Sequence, residues 1–262
     1  MEYQVKNGDS QSFWCGCVKQ PHVLAPFNAA VTFQDLEQKF NISRDNPEIF
    51  ETAKKALNKT KGIIHPKAVY QWFEFENPGK DKSKSIIQCS GDRVTFDFGN
   101  SFQFLKHARY ALIAVYTAGQ EFEKELLHAS SKGDLLEAYF LDLIGLIVLG
   151  QLEEAIKEIA EKQAGNLGWG VSPFLSPGSV HGWELEDQVK LCSVLPLEKI
   201  TVTFHNDSVL SPFKTVTCLI GLGPEYSSSR VGTTCRVCSK NDTCPMKQKQ
   251  TAETTCIYPS IP

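Results

Sequence analysis

The stretch GNLGWGVSPFLSPGSVHGWELEDQVKLCSVLPLEKITVTFHNDSVLSPFKTVTCLIGLG, Gly165 to Gly223, decides how this chain reads. Its first residues, Gly165 to Gly170, predict a glycine-rich loop, with Gly165 ending the helix before it. Ser176-Pro177-Gly178 predicts a tight turn, because proline fixes the middle and glycine leaves the end without a side chain. Glu184 to Val194 carries Leu185, Val189 and Cys192 at helical spacing, and Ile200–Phe204 and Thr215–Ile220 follow as strand patterns.

Upstream of that stretch lies a long helical pattern. Asp134 can cap a helix running to about Gln163. Its first half is apolar nearly all round and predicts burial, while LEEAIKEIAEKQ is amphipathic with acids three to four positions from lysines. The run Ala138–Gly150 is too short for a bilayer span and carries Asp142, so a buried helix is the reading. Gln120–Ser130 predicts a helix before it, and Tyr110–Tyr116, apolar on both faces, a central strand. Val69–Glu76 alternates as a strand, and Ser85–Ser90 with Val94–Phe98 predicts a hairpin around Gly91-Asp92. Thr32–Phe40 and Asn46–Asn58 are amphipathic helices, the second with Asn46 as cap and Pro47 at its first position.

The bulk numbers exclude several function classes. At 262 residues, 42% hydrophobic and 22% charged, the chain can bury a sizeable core. A net charge of −3 argues against nucleic acid or an anionic membrane as the main partner. The N-terminus lacks the basic start and apolar core of a signal peptide, which predicts a cytoplasmic protein. No Ser/His/Asp order, phosphate loop or His-x-x-x-His pattern supports a hydrolase or kinase.

Nine cysteines in a reducing compartment point to metal binding or redox chemistry for some of them. Cys235-Arg-Val-Cys238 places two thiolates on one tight loop, Cys244 precedes Pro245, and Cys256 is the natural fourth ligand. An iron–sulfur cluster, a structural zinc and unrelated surface thiols are the competing readings. Cys15 and Cys17, in the Phe13-Trp14-Cys15-Gly16-Cys17 patch, are remote substitutes. Cys89, Cys192 and Cys218 fall in apolar patterns and predict core positions.

Several short blocks, in order, carry a resemblance. They are His65-Pro66-Lys67-Ala68-Val69-Tyr70, Glu137-Ala138-Tyr139-Phe140-Leu141-Asp142, Ser176-Pro177-Gly178, Trp183-Glu184-Leu185-Glu186-Asp187-Gln188 and Ser211-Pro212-Phe213-Lys214-Thr215-Val216. Together they resemble the reactivation domain of cobalamin-dependent methionine synthase, above all its stand-alone relatives in anaerobes. Those relatives also carry a cysteine cluster ending in Cys-Pro. The resemblance spans roughly residues 60–247 and implies an α+β fold with a bent, mainly antiparallel sheet flanked by helices. It divides the chain into an N-terminal helical segment (1–60), the main domain (61–226) and a cysteine-rich, metal-binding tail (227–262).

The resemblance also implies S-adenosylmethionine in a shallow groove and docking on a corrinoid (cobalamin) protein or methyltransferase, whose oxidised cobalt is reduced and remethylated. The cofactor-binding candidates are Ser176, Pro177 and Gly178 of the turn with the neighbouring His181 and Trp183, which read equally as a loop histidine in solvent and a tryptophan anchoring the helix start; the metal candidates, from their spacing, are Cys235, Cys238, Cys244 and Cys256. Turn amides of this kind suit a carboxylate. Two positions depart from the family pattern: Phe174 stands where an arginine grips the ligand carboxylate, and Ser179 where a tyrosine follows the glycine. A phenyl ring cannot replace a bidentate guanidinium, so the fold is better supported than S-adenosylmethionine. The leading expectation is a redox accessory protein that passes electrons from a donor through an iron–sulfur centre. The alternatives are a non-catalytic binding module with a structural zinc, and an S-adenosylmethionine-dependent remethylation of cobalamin.

Overall fold

The computed structural model describes residues 20–40, 45–76, 84–89, 92–180, 182–205, 208–233 and 238. The Phe13–Cys17 patch lies outside them. The chain opens with a short strand, β1 (His22–Leu24), followed by two helices, α1 (Phe33–Phe40) and α2 (Pro47–Thr60). Local chemistry starts both helices. Asp35 Oδ2 accepts from the Thr32 amide and hydroxyl, each at 2.7 Å, and the Asp35 amide donates back to the hydroxyl at 3.3 Å. Asn46 Oδ1 accepts from the Glu48 and Ile49 amides at 3.1 and 3.2 Å, as a capping asparagine should.

Four strands follow: β2 (Lys67–Glu76), β3 (Lys84–Cys89), β4 (Asp92–Asp97) and β5 (Tyr110–Thr117). Helices α3 (Gln120–Ser131) and α4 (Leu135–Leu167) come next, and Asp134 Oδ1 accepts from the Glu137 amide to start the second. The helix does not stop at Gly165. Gly165 lies on its exposed last turn, and the end is set by Gly168 at φ 66, with the Gly168 amide bonding Gly165 O and the Trp169 amide bonding Ala164 O. The reason is positional: the left-handed residue that closes a helix favours glycine, and Gly168 holds that place.

The remaining elements are β6 (Gly170–Val171), α5 (Asp187–Cys192), β7 (Thr203–His205), β8 (Val209–Ser211) and β9 (Thr215–Gly223). Two sequence expectations are shortened here. The predicted helix Glu184–Val194 keeps only α5. Ile200 belongs to a 3-10 turn, Leu197–Ile200, and Thr201 at φ 60 breaks the strand expected over Ile200–Phe204.

Strands order as β4-β3-β2-β5-β9-β6, with β1 pairing the start of β2, and β7-β8 form a separate hairpin. Every pairing is antiparallel. The fold is therefore α+β, a mainly antiparallel sheet with helices packed on it. Alternation along the strands sorts side chains to two faces. Val69, Phe73, Ala111, Ile113, Val115 and Leu219 join one apolar cluster with Trp183 and Leu191. Ala68, Trp72, Leu112, Ala114, Cys218 and Ile220 join another, under Leu152, Ile156 and Ala160 of α4.

The first half of α4 leaves the sheet and packs with α1, α2 and α3 through Phe140, Leu141, Ile144 and Ile147. By length and composition α4 could cross a membrane, but 61% of its most apolar window is buried inside the fold. Its apolarity is explained by two partners, the sheet and the helical layer, on successive parts of one rod.

Candidate functional site

The segment from Ser172 to Trp183 lies against β9. The Ser172 amide donates to Gly221 O and the Gly221 amide to Ser172 Oγ, each at 2.8 Å, while Leu175 and Leu219 exchange amide bonds at 3.1 and 2.9 Å. Ser176-Pro177-Gly178 then forms the predicted turn, with Gly178 at φ 75 and the Ser179 amide closing onto Ser176 O at 3.1 Å. Proline at the second position and a positive-φ glycine at the third make this a type II turn.

Both inner amides are already taken. The Gly178 amide donates to Trp183 O at 2.9 Å and the Ser179 amide to Ser176 O. The space left by the missing Cβ of Gly178 is filled from within, since Leu185 Cβ and Cδ1 would stand 3.2 Å from it. Ser176 and Pro177 are buried, and Gly178 is exposed. The expected supply of free amides for a carboxylate is therefore corrected at these two positions, because the turn uses them to fold on itself.

Trp183 is 1% exposed and meets Phe98 edge-on, ring centres 5.0 Å apart. Its Nε1 is buried and no described acceptor meets it at bonding geometry, although Asp187 lies near enough to feel it. Burial raises the Asp187 carboxyl above the usual aspartate range, Lys190 draws it back, and Asp97 pushes it up further. His181 lies outside the described residues. Gln188 acts as a strut: its Nε2 donates to Ser208 O at 2.8 Å, and its Oε1 accepts from Thr217 Oγ1 at 3.1 Å.

At the position lacking the arginine, Phe174 is 2% exposed and lies beneath an ammonium group from α4. Lys157 Nζ stands 5.8 Å from the ring centre and pairs with Glu153 at 2.6 Å and Glu154 at 3.0 Å. Burial pulls the Lys157 ammonium down, and the two glutamates more than restore it. The sequence pattern puts Lys157 on an amphipathic helix. Its contact with Phe174 spans two elements and has no local signal.

The flanking blocks meet each other. Asp142 of α4 pairs with Lys214 at 2.6 Å, and Lys214 O accepts from the Ala118 amide at 3.0 Å. Gly145 makes room for this seam, since a Cβ there would stand 2.8 Å from Phe122 Cε1 and 3.4 Å from Lys214 Cδ. The neighbouring Phe213 is 69% exposed, and its amide donates to Glu123 Oε1 at 2.6 Å. On α4, Leu135, Tyr139 and Leu146 are also exposed, on the same helical face as Asp142.

Of the four metal candidates, Cys238 is described, half-buried, and in an antiparallel bridge with Val180. Cys235, Cys244 and Cys256 lie outside the described residues, as do Cys15 and Cys17. Among the described residues no group of three or more His, Cys, Asp or Glu side chains could hold a metal ion. Cys192 and Cys218 are core, as expected; burial pushes the Cys192 thiol up to about 12 and that of Cys218 higher still, so neither is a ready thiolate. Cys89 lies in β3, its side chain outside the described residues.

No protein family matches the sequence, and no curated protein does. Among solved structures the fold is similar to the crystal structure of the MetH reactivation domain bound to AdoHcy, with a TM-score of 0.53 and 14% identity, covering 77% of this chain and 73% of that one. At that identity the likeness is one of fold: this chain has a fold resembling the MetH reactivation domain.

Proposed function

We propose that this protein docks on a corrinoid protein and supports its reductive activation, with Cys235, Cys238, Cys244 and Cys256 holding an iron–sulfur centre. The fold likeness supports the partner class. The observation that carries the cysteine reading is the Val180–Cys238 bridge, which sets a predicted ligand beside the Ser176–Trp183 turn. An all-thiolate donor set suits iron–sulfur chemistry and also zinc; the iron centre, when bound, would supply electrons singly. The chain's own part is to hold Cys238 against the rigid turn and to offer the partner a surface. Remethylation by S-adenosylmethionine is the weaker reading, because Phe174 is packed under Lys157 and two turn amides are engaged.

Anaerobic purification followed by iron, sulfide and zinc analysis tests the proposal. Iron and acid-labile sulfide in the wild type, lost in Cys235→Ser and Cys238→Ser, support it. One zinc per chain with no visible absorption overturns the redox role and leaves a binding module stapled by metal.

A further inference from the structure

One end of the sheet carries a polar hollow of about 510 Å³, lined by Phe75, Glu76, Lys106, His107, Arg109 and Glu225. It is built from the end of β2, the turn that leads into β5, and the segment after β9. The turn is held rigidly. The Arg109 amide donates to Leu222 O at 2.8 Å, the Phe75 amide to Arg109 O at 3.0 Å, and Tyr226 Oη to Phe104 O at 2.7 Å. Gly223 is required for this approach, because a Cβ there would stand 1.9 Å from His107 O.

Both carboxylates that line the hollow are held by neighbours. Glu76 is engaged by Arg93 at 2.7 Å, and Glu225 by His107 Nδ1 at 2.7 Å. The His107 ring is further fixed edge-on to Tyr226, centres 5.8 Å apart. Lys106 and Arg109 are exposed, and no described residue forms an ion pair or hydrogen bond with either side chain. Two unpaired cations therefore share one concave, polar site on a chain whose net charge is −3. The guanidinium offers a planar fork of donors and the ammonium a point charge, a pairing suited to a tetrahedral oxyanion carrying two charges.

We propose that this hollow binds a phosphoryl dianion, as free phosphate or as a phosphate ester. The proposal does not rest on the cysteine centre. The test is titration of the full chain with inorganic phosphate, glycerol phosphate and acetate at low ionic strength, followed by backbone amide shifts. Saturable shifts confined to residues 75–76, 105–109 and 223–226 are expected, with phosphate at least about tenfold tighter than acetate. Lys106→Gln and Arg109→Gln should each weaken phosphate about tenfold, while Lys132→Gln, a surface lysine elsewhere, leaves it unchanged. A tighter glycerol phosphate assigns the hollow to an ester, and equal affinity to the ion; both support the proposal. Shifts that rise linearly, acetate as tight as phosphate, or equal weakening by Lys132→Gln would overturn it.

Discussion

The Ser176–Trp183 turn and the Asp142–Lys214 seam are both built from sequence blocks of the same resemblance, yet they face opposite ways. The turn looks like a ligand cradle in sequence and folds inward: two amides bond within it, Leu185 fills the glycine's space, and Trp183 is buried against Phe98. The seam looks like ordinary helix and strand, and leaves Tyr139 and Phe213 in solvent around one ion pair. A glycine turn signals close approach, but the approaching group can be the protein itself.

Truncation at the turn should give the largest effect. Trp183→Ala removes a fully buried indole and is expected to destabilise by about 3–5 kcal/mol in a denaturant titration. A loss below about 1 kcal/mol would mean that the turn is not anchored as described.

Glu137, at the start of the α4 block, is next. It is 1% exposed, pairs with Lys55 at 2.6 Å and also contacts Lys59. Burial pushes its carboxyl up, but the two ammonium groups outweigh this and hold it below the usual range. Glu137→Gln should cost about 2 kcal/mol near neutral pH, towards the lower end for charged contacts because both lysines reach water. With the folded carboxyl lowered, that advantage is full above the unfolded value and lost as pH falls through the folded one. A difference between wild type and variant that grew on acidification would contradict the pairing.

Gly178→Ala should cost about 1 kcal/mol, since alanine is strained at φ 75 and its methyl would press on Leu185. Phe213→Ser should change thermal stability least, by no more than about 0.5 kcal/mol, because the ring already lies in water. If the order of these two reversed, the contrast between an inward turn and an outward seam would fail.

Much of the fold was legible because its signals are local. Asn46 and Asp134 cap helices within three residues of themselves, and Tyr110–Tyr116 is apolar on both faces because each face is buried, Ala111, Ile113 and Val115 in one cluster and Leu112 and Ala114 in the other. The end of α4 was not legible: Gly165 and Gly168 both suit a helix end, and the backbone bonds decide for Gly168. Lys157 over Phe174 joins a helix to a loop, and His107 meets Glu225 across 118 residues, so neither pairing leaves a sequence pattern. Cys238 was found by its spacing from Cys235, whereas its bridge to Val180 required the fold.

Electron delivery to a corrinoid partner through the cysteine centre is the role we propose. The direct measurement is anaerobic reduction of a corrinoid protein from cobalt(II) to cobalt(I), one electron per cobalt, by a one-electron donor with and without this protein. Wild-type protein is expected to accelerate appearance of cobalt(I), and Cys238→Ser, with its melting midpoint checked against wild type, to fall to the rate of donor alone. Equal rates with and without the wild-type protein would contradict it.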